Sequence, residues 1–415
     1  MGKKNLLISG CVFAVAIFAC TSAFALLHGD TPDARHAWAV QDWNRPCPAK
    51  VTAAAGCAPS DAIVLFDGTV ESLSKNWISE YGGSTKWKVE DGALVCVPRT
   101  GTIKTKRPFG DFQLHVEWRP PRVADHLRCD DTTWQDATML MHKNDLNLIV
   151  IDVGESLIFP SHPELAVKGS WSVERYHKEL DRLRSMGLEP IPKLNFSTAH
   201  QAWLKEYSRM VSTAEYYRVC ADVIRDTAEV FGNPRWFHIG FDEEMPIALN
   251  GHLHAVMRQG DLWWHDFLYI VKEVEKNNSR AWCWSDYIWT ARAEFLRRMP
   301  KTVLQSNWYY RDDFSEAKLK WNTDFEKKGG WGETIQGAAA FLELEKAGYD
   351  QLPCTSSYQC EPSADAVVKF CRERIAPERL KGFLMAPWTL TTPDKANKIS
   401  RSIELIAASK NKYYP

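Results

Sequence analysis

The chain has 415 residues, of which 45% are hydrophobic and 25% charged, with a formal net charge of −1. This composition excludes a disordered, collagen-like or simple coiled-coil protein. The near-zero charge gives no field that would steer the chain toward DNA or RNA, so we expect no nucleic-acid partner. The 18 tryptophans predict aromatic platforms at a binding surface, because tryptophan is too large to bury easily.

The N-terminus has the pattern of a secretory signal peptide. Lys3 and Lys4 precede an uncharged apolar run over residues 5–27, which contains the triplet Ala-Phe-Ala at 23–25. A basic start, an apolar middle and small residues at the cut are typical of a cleaved signal. We therefore predict a signal peptide over residues 1–25, secreted or periplasmic localisation, and no membrane contact after cleavage. The alternative is a retained anchor, since the run is just long enough to span a bilayer.

The cysteines and histidines predict neither a metal nor a cofactor. Two of the 11 cysteines lie in the predicted signal peptide, and the remaining odd number leaves at least one unpaired within the chain. Export would permit disulfides, and the pairs Cys47/Cys57 and Cys354/Cys360 are close enough in sequence to be candidates. No cluster has zinc-ligand spacing. The oligomeric state is open.

The first part of the chain contains a linker and β-structure. Residues 26–60 contain four prolines and an alanine/glycine stretch, which together predict a linker. Residues 112–118 alternate apolar and polar side chains, which indicates a strand with one buried face. Residues 87–96 predict a hairpin whose turn, Asp91-Gly92, is of type I′.

Three stretches in this part carry a resemblance to a known family. They are Ile-Val-Leu-Phe-Asp-Gly at 63–68, Lys-Trp-Lys-Val-Glu-Asp-Gly-Ala-Leu at 86–94 and Gly-Asp-Phe-Gln-Leu-His-Val-Glu-Trp at 110–118. They resemble the start of the 3-keto-disaccharide hydrolase domain, also named 3-keto-glucoside lyase/3-keto-glucal hydratase, which has a concanavalin-like β-sandwich. The pattern ends near residue 121, whereas a sandwich needs roughly 100 residues to close. We therefore predict a truncated β-sandwich fragment over 61–121, without activity of its own.

From residue 125, predicted strands and helices alternate. Residues 147–153 are almost continuously apolar, which indicates a strand buried on both faces. Further strands are predicted near 188–195, 236–242, 280–287, 302–308, 351–356 and 381–388. Helices are predicted near 131–144, 173–186, 213–231, 262–277, 291–299, 337–348, 363–375 and 394–410. The alternation predicts an α/β fold with a parallel sheet, and its length a (β/α)8 TIM-type barrel over 125–415.

The predicted barrel has an incomplete start. A helix near 131–144 precedes the first barrel strand, although a closed barrel expects a strand before that helix. The barrel therefore lacks its first strand or borrows residues 112–118, and a fusion point is predicted near 119–125.

Polar and aromatic side chains gather at the predicted strand ends. Catalytic groups of such barrels lie at the C-terminal ends of strands, where tryptophan faces would stack on sugar rings and polar groups would bond hydroxyls. We therefore predict a carbohydrate substrate. The predicted substrate-binding residues are Asp152, Asn195, His238, Trp282, Trp284, Asp286, Tyr287, Asn307, Trp308 and Trp388.

Several of these residues have a purely structural alternative. The two tryptophans of the strand near 280–287 share one face, which core packing would also explain. Asp286 would serve equally well as a helix cap. We favour an ion pair of Lys193 with Asp152 over a ligand contact, and a structural role for His200.

The strongest local signal is Trp-Phe-His-Ile-Gly-Phe-Asp-Glu-Glu at 236–244. It resembles the His-x-Gly-Gly-Asp-Glu motif of glycoside hydrolase family 20, the β-hexosaminidases, and residues 125–415 resemble an uncharacterised bacterial branch of that superfamily. The resemblance implies that Glu243 is the general acid/base and that Asp242 orients the substrate's 2-acetamido group. Phe241 stands where the family has its second glycine. The alternative is that these carboxylates only cap a helix start.

These observations predict a secreted glycoside hydrolase that acts on N-acetylhexosamine-containing or related β-glycans. An oxocarbenium-like transition state needs a proton donor at the leaving oxygen and negative charge near the anomeric carbon, which two adjacent carboxylates could supply. One alternative is a non-catalytic carbohydrate-binding protein. The other is 3-keto-glycoside lyase/hydratase-type activity carried by the N-terminal domain.

Overall fold

The computed structural model describes residues 50–54, 57–97, 100–110, 114, 116, 126–244, 249, 256–328 and 331–415. The predicted signal peptide, most of the predicted linker and most of the strand predicted over 112–118 lie outside these residues. The chain divides into two compact units, Met1–Trp118 and Arg119–Pro415. Among the helices in the described ranges, none combines the length and the apolar character needed to cross a bilayer.

The first unit contains two small antiparallel sheets. Its elements are α1 (Val70–Asn76), β1 (Trp77–Ser79), β2 (Lys88–Glu90), β3 (Ala93–Val95) and β4 (Ile103–Thr105). β1 pairs with β4, and β2 pairs with β3. The predicted hairpin is confirmed, since Asp91 (φ 50°) and Gly92 (φ 72°) both have the positive φ that a type I′ turn requires. Leu73 is the one buried apolar residue among those described in this unit, so its sandwich character remains a prediction.

The second unit alternates strands and helices as the sequence predicted. Its strands are β5 (Leu148–Asp152), β6 (Glu189–Lys193), β7 (Trp236–Gly240), β8 (Arg280–Trp284), β9 (Leu304–Ser306), β10 (Cys354–Thr355) and β11 (Leu384–Met385). Its α-helices are α2 (Asp131–Lys143), α3 (Val173–Ser185), α4 (Ala214–Val230), α5 (Gly260–Lys276), α6 (Ile288–Arg298), α7 (Glu316–Leu319), α8 (Thr323–Lys328), α9 (Glu333–Lys346), α10 (Ser363–Arg374) and α11 (Ala396–Tyr413). The cap predicted at Thr213 is confirmed, because its side chain accepts a hydrogen bond from the backbone N–H of Tyr216.

The strands of this unit are parallel. β5 to β9 form one five-stranded sheet in chain order, and parallel bridges from Gln305 to Gln351 and from Trp308 to Cys354 continue the pairing toward β10. β10 in turn pairs with β11. A mixed α/β fold with a parallel sheet is therefore confirmed. No strand pairing among the described residues joins β11 to β5, so closure of a barrel remains a prediction.

The segment before α2 lies against both ends of this strand series. His126 forms a parallel bridge with Lys168, which follows β5, and Cys129 forms one with Thr391, which follows β11. Residues 126–129 thus contact the two regions between which the predicted barrel lacks a strand.

Alternation of side chains divides the core into two layers. One cluster contains Trp236 on β7, Trp282 on β8 and Leu304 on β9, all buried. The alternate residues Phe237 and Ile239 belong to the larger cluster, which includes side chains of the helices. Successive strand residues point to opposite faces, so both faces of the sheet are covered. Burial of each such side chain contributes roughly 1.5–3 kcal/mol.

The candidate disulfide Cys354/Cys360 is not formed. Both cysteines are free, and so is Cys57, whose candidate partner Cys47 lies outside the described residues. Cys354 is fully buried on β10, whereas Cys360 lies in the loop that follows and is partly exposed. The Cys354 thiol instead donates to the backbone carbonyl of Thr355, with sulfur and oxygen 3.6 Å apart.

Candidate active site

The chain turns sharply where β7 ends. Gly240, Phe241 and Glu243 have φ values of 74°, 67° and 60°, a left-handed conformation that side chains other than glycine rarely adopt. A Cβ atom on Gly240 would lie 1.9 Å from Asn195 Oδ1. Only glycine therefore fits at position 240, which places the following carboxylates at the C-terminal end of the strand.

Asn195, which follows β6, holds this turn in place. Its Nδ2 donates a hydrogen bond to Asp242 Oδ1 at 2.8 Å. Its Oδ1 accepts from the backbone N–H groups of Ser197 (3.0 Å) and Phe241 (3.3 Å). The amide predicted to bind sugar is thus engaged in orienting Asp242.

Phe241 occupies the position of the second glycine in the family 20 motif and has a glycine-like backbone. Its buried ring packs against Phe267 (centroid distance 5.0 Å) and Trp263 (5.5 Å). The guanidinium carbon of Arg258 lies 4.7 Å from the centre of the ring. A left-handed conformation costs a side-chain-bearing residue roughly 1–2 kcal/mol, which the burial of the ring offsets.

His200 lies between the two candidate catalytic carboxylates. Its Nε2 is 3.2 Å from Glu243 Oε2 and 3.4 Å from Asp242 Oδ2. Burial lowers the pKa of His200, but the carboxylates of Asp242 and Glu243 together raise it by more, so that it reaches about 9. The imidazole is therefore protonated at neutral pH. The sequence analysis favoured a purely structural role for His200 and did not predict that it lies beside these two carboxylates.

The same three residues could hold a metal ion. One ligand atom from each of His200, Asp242 and Glu243 lies within 4.8 Å of the others, and this is the one such group within the described part of the chain. A metal would have to displace the imidazole proton, because histidine ligates in its neutral form. The protonated imidazole instead supplies the positive charge between the carboxylates.

Asp286 brings a third carboxyl group to this turn. Its Oδ2 accepts a hydrogen bond from the backbone N–H of Glu243 at 2.8 Å, and its Oδ1 lies 3.4 Å from the indole nitrogen of Trp308. Burial and the charge of Asp242 raise the pKa of Asp286 to about 8, although the hydrogen bond from Glu243 lowers it. Asp286 is therefore a buried carboxyl group whose pKa is raised above its usual range by burial and by the neighbouring carboxylate of Asp242.

The predicted ion pair between Lys193 and Asp152 is confirmed. Lys193 Nζ donates to Asp152 Oδ2 at 2.6 Å. Burial lowers the pKa of Lys193, but Asp152 and Asp242 raise it by more, so the ammonium remains charged. The side chain of Asp152 is 60% exposed, which leaves its second oxygen open to solvent.

Glu244, the third consecutive carboxylate, has a structural partner. Both of its oxygens accept hydrogen bonds from Arg258, at 2.6 and 2.9 Å, and both side chains are buried. Arg258 also lies 3.1 Å from Asp266. This bidentate pairing fixes the chain after the turn and leaves Asp242 and Glu243 as the carboxylates beside His200.

Aromatic side chains from three strand ends meet beside this turn. Trp284 lies 5.9 Å from Trp388, and Trp388 lies 6.4 Å from Tyr310 between ring centroids. Tyr310 stacks on Trp308 at 5.1 Å. Trp388 is 41% exposed, whereas the other three are buried. The exposed ring of Trp388 is therefore the part of this group that solvent reaches.

Tyr310 was missed by the sequence analysis. Burial raises the pKa of Tyr310 well above its usual value, and the charges of Cys354, Asp242 and Glu243 add to the shift. Alternation along the strand end could have revealed it, because Tyr310 shares a face with Trp308. Tyr309 belongs to another core cluster, and its hydroxyl donates to the carbonyl of Asp313 at 2.7 Å.

Two predicted ligands lie inside the core. Trp282 is fully buried in the interior cluster. His238 is fully buried beside Trp282 and Trp284, with ring centroids 4.7 and 4.5 Å away. Burial, together with the charge of Lys193, lowers the pKa of His238 well below its usual value, so the ring is neutral. These positions fit the packing alternative for this strand face.

Two further predicted ligands are occupied by internal contacts. Asn307 accepts from the indole N–H of Trp289 at 3.1 Å and donates to the carbonyl of Gly337 at 2.8 Å. Tyr287 stacks on Trp263 with ring centroids 4.1 Å apart. The amide of Asn307 is therefore bonded within the fold, and the ring of Tyr287 packs against a side chain of α5.

Comparison with family models agrees with the resemblance found in the N-terminal part of the chain. A family model for the 3-keto-alpha-glucoside-1,2-lyase-like domain matches residues 61–147, beyond the end predicted at 121. No curated protein matches the chain.

Solved structures that are similar to this chain include glycoside hydrolases of low sequence identity. A chitobiase of Flavobacterium johnsoniae is 12% identical, with 68% of this chain and 50% of that chain covered and a TM-score of 0.44. A β-N-acetylhexosaminidase of Bacteroides fragilis is 12% identical, with coverage of 66% and 62% and a TM-score of 0.46. A family 20 β-N-acetylhexosaminidase of Streptomyces coelicolor is 15% identical, with coverage of 65% and 60% and a TM-score of 0.41. The chain thus spans between half and about three-fifths of these structures.

Proposed function

We propose that this chain is a secreted glycoside hydrolase acting on N-acetylhexosamine-containing or related β-glycans. The observation that carries the proposal is the pair Asp242–Glu243, which shares His200 at the end of a parallel strand. Aromatic side chains border the same turn, among them the exposed Trp388. Adjacent carboxylates with an aromatic platform suit a pyranose ring and its glycosidic bond.

In the proposed reaction, the acetamide oxygen of the substrate attacks the anomeric carbon. The bond from that carbon to the leaving oxygen breaks, and its electron pair stays on the leaving oxygen, which takes a proton from Glu243, so the reacting form of the enzyme is the one in which Glu243 is protonated. Asp242 accepts a hydrogen bond from the acetamide N–H and stabilises the positive charge that develops there. Water then attacks the anomeric carbon, the carbon–acetamide oxygen bond breaks, and Glu243 regains a proton from the water.

The geometry around Asp242 is compatible with this role. Asn195 donates to Oδ1 and His200 lies near Oδ2, so the side chain is held from two sides. A carboxylate has about four acceptor positions, which leaves room for a substrate N–H. The exposed ring of Trp388 would supply the sugar platform, with the buried Trp284 packed beside it, and the exposed carboxylate of Asp152 would bind a hydroxyl.

The test is hydrolysis of aryl N-acetyl-β-glucosaminides and aryl β-glucosides by the full chain. Glu243→Gln should lower kcat/KM about 10²- to 10⁴-fold, because it cannot donate a proton. Glu229→Gln, on the exposed face of α4, is the matched control and should retain full activity. Equal cleavage of the glucosides would refute the role of the acetamide. Glycan binding without cleavage of any glycoside would support the non-catalytic alternative.

The N-terminal unit is proposed to be inactive by itself. A single apolar side chain, Leu73, is buried among its described residues, although the family model covers 61–147. A 3-keto-glucoside should therefore persist when incubated with the full chain. Its consumption, retained in the Glu243→Gln variant, would assign lyase-type activity to this unit.

A further inference from the structure

We propose that Asp286 is a positioning residue, which holds the backbone of Glu243 so that the Glu243 carboxyl group faces the substrate. This inference rests on the proposed function of Glu243. It differs from the sugar-ligand role predicted for Asp286 and assigns it no contact with the substrate.

The strand pairing explains why a side chain is needed at this point. β7 and β8 are paired up to Gly240 and Cys283. Beyond Gly240 the backbone of β7 turns into the left-handed conformation and leaves the ladder. The carboxyl group of Asp286 then accepts the N–H of Glu243 at 2.8 Å, in place of the backbone carbonyl that a continuing strand would offer.

Both carboxyl oxygens of Asp286 face groups within the protein. One oxygen accepts from Glu243, and the other lies 3.4 Å from the indole nitrogen of Trp308. No side-chain hydrogen bond caps the start of α6, so the capping alternative for Asp286 is not realised. Asp286 is fully buried, which leaves it no surface toward a sugar in this conformation.

The conformation of Glu243 makes this support consequential. Its φ of 60° is a strained state for a residue with a Cβ and persists only where the surroundings impose it. Loss of the Asp286 acceptor would release this constraint and let the Glu243 side chain move. A shift of about 1 Å in a catalytic group can cost roughly 10²-fold in rate. Substrate binding through the aromatic platform would change far less.

The decisive variants are Asp286→Ala and Asp286→Asn. The asparagine carbonyl can still accept the N–H of Glu243, whereas alanine cannot. Ser285→Ala is the matched control, because Ser285 is a buried neighbour whose hydroxyl bonds to Gln305 at 3.1 Å and not to the turn. Amide hydrogen exchange of residues 239–244 and steady-state kinetics are measured on the full chain for all three variants.

We expect Asp286→Ala to speed exchange of the Glu243 amide at least about 10-fold and to lower kcat about 10- to 100-fold, with KM changed less than about 3-fold. Asp286→Asn and Ser285→Ala should retain exchange and kcat within about 5-fold of wild type. Unchanged exchange in Asp286→Ala would overturn the inference, as would faster exchange with an unchanged kcat.

Further outcomes separate this inference from the proposed function. If the wild type hydrolyses no glycoside, the proposed function fails, and the exchange data alone decide whether Asp286 holds Glu243. If Asp286→Ala does not fold, Asp286→Asn decides. A rise in KM at constant kcat in Asp286→Asn would indicate that Asp286 is a sugar ligand and would overturn the positioning role. Wild-type exchange, kcat and KM in Asp286→Asn would support the positioning role.

Discussion

Phe241 offers a direct test of the left-handed turn. An alanine variant is usually more stable than a glycine variant at the same position, and at Phe241 this order of stability should be inverted. The ring is buried against Phe267 and Trp263, so Phe241→Ala should lower the free energy of unfolding by about 3–5 kcal/mol. Alanine keeps the Cβ and therefore the cost of a φ of 67°, which is roughly 1–2 kcal/mol. Glycine removes that cost. Phe241→Gly should therefore be about 1 kcal/mol more stable than Phe241→Ala.

Urea-induced unfolding of the full chain, followed by tryptophan fluorescence, measures this difference. Phe237 provides the matched control, because it is a fully buried phenylalanine within β7 and has no left-handed backbone. At Phe237 the alanine variant should be the more stable of the two by about 0.5–1 kcal/mol, since glycine is disfavoured inside regular strands. If Phe241→Ala equals or exceeds Phe241→Gly in stability, the left-handed conformation of this residue is refuted.

Three further predictions concern other parts of the chain. Gly240→Ala would place a Cβ 1.9 Å from Asn195 Oδ1 and should lower the free energy of unfolding by roughly 3 kcal/mol or more. Since 1 kcal/mol corresponds to roughly 2–4 °C in melting temperature, a variant that melts within about 2–3 °C of wild type would contradict this. The folded-state pKa of His200, about 9, lies above the ordinary histidine value of 6.5. The ion pair of His200 should therefore contribute fully to stability below pH 6.5, and this contribution should be lost as the pH rises through 9. An NMR titration of the imidazole with a midpoint at or below 6.5 would refute the ion pair. In Gly92→Ala the added Cβ would meet no atom within 4 Å, but the residue has a φ of 72°. The variant should therefore destabilise the β2–β3 hairpin by about 1–2 kcal/mol through backbone strain alone. Amide exchange over residues 88–95 should become faster, and unchanged exchange would argue against the type I′ turn.

The order and type of the elements could be predicted because each carries a local pattern. Within the described residues of the second unit, the alternating apolar runs and helix caps identified the seven strands and the eight long helices. The turn Asp91-Gly92 was identified from two residues, since few others tolerate positive φ at both positions. The same reasoning could have extended to Phe241, because a glycine position in the resembled motif already indicates a left-handed backbone.

The composition of the site was harder to predict, because its contacts join residues that are distant in sequence. His200 directly precedes the 3₁₀ helix Gln201–Arg209, which follows β6, and shows no local pattern that distinguishes it from a structural histidine. Asp286 was identified as polar at a strand end, but the sequence cannot tell whether its carboxyl group faces a ligand or the Glu243 amide. Asn307 was equally ambiguous, since its partners Trp289 and Gly337 belong to two different helices.

The alternation of side chains after β9 has an evolutionary consequence. Trp308 and Tyr310 are on the face of the strand end that meets Asp286 and Trp388, whereas Tyr309 packs against Phe314 on the other face. An insertion or deletion of one residue here would exchange the two faces, removing the indole from Asp286 and turning Tyr309 toward the carboxylates. Changes in length at this point should therefore survive only in steps of two, so descendants of this chain should keep the spacing more strictly than the identity of the aromatic residues.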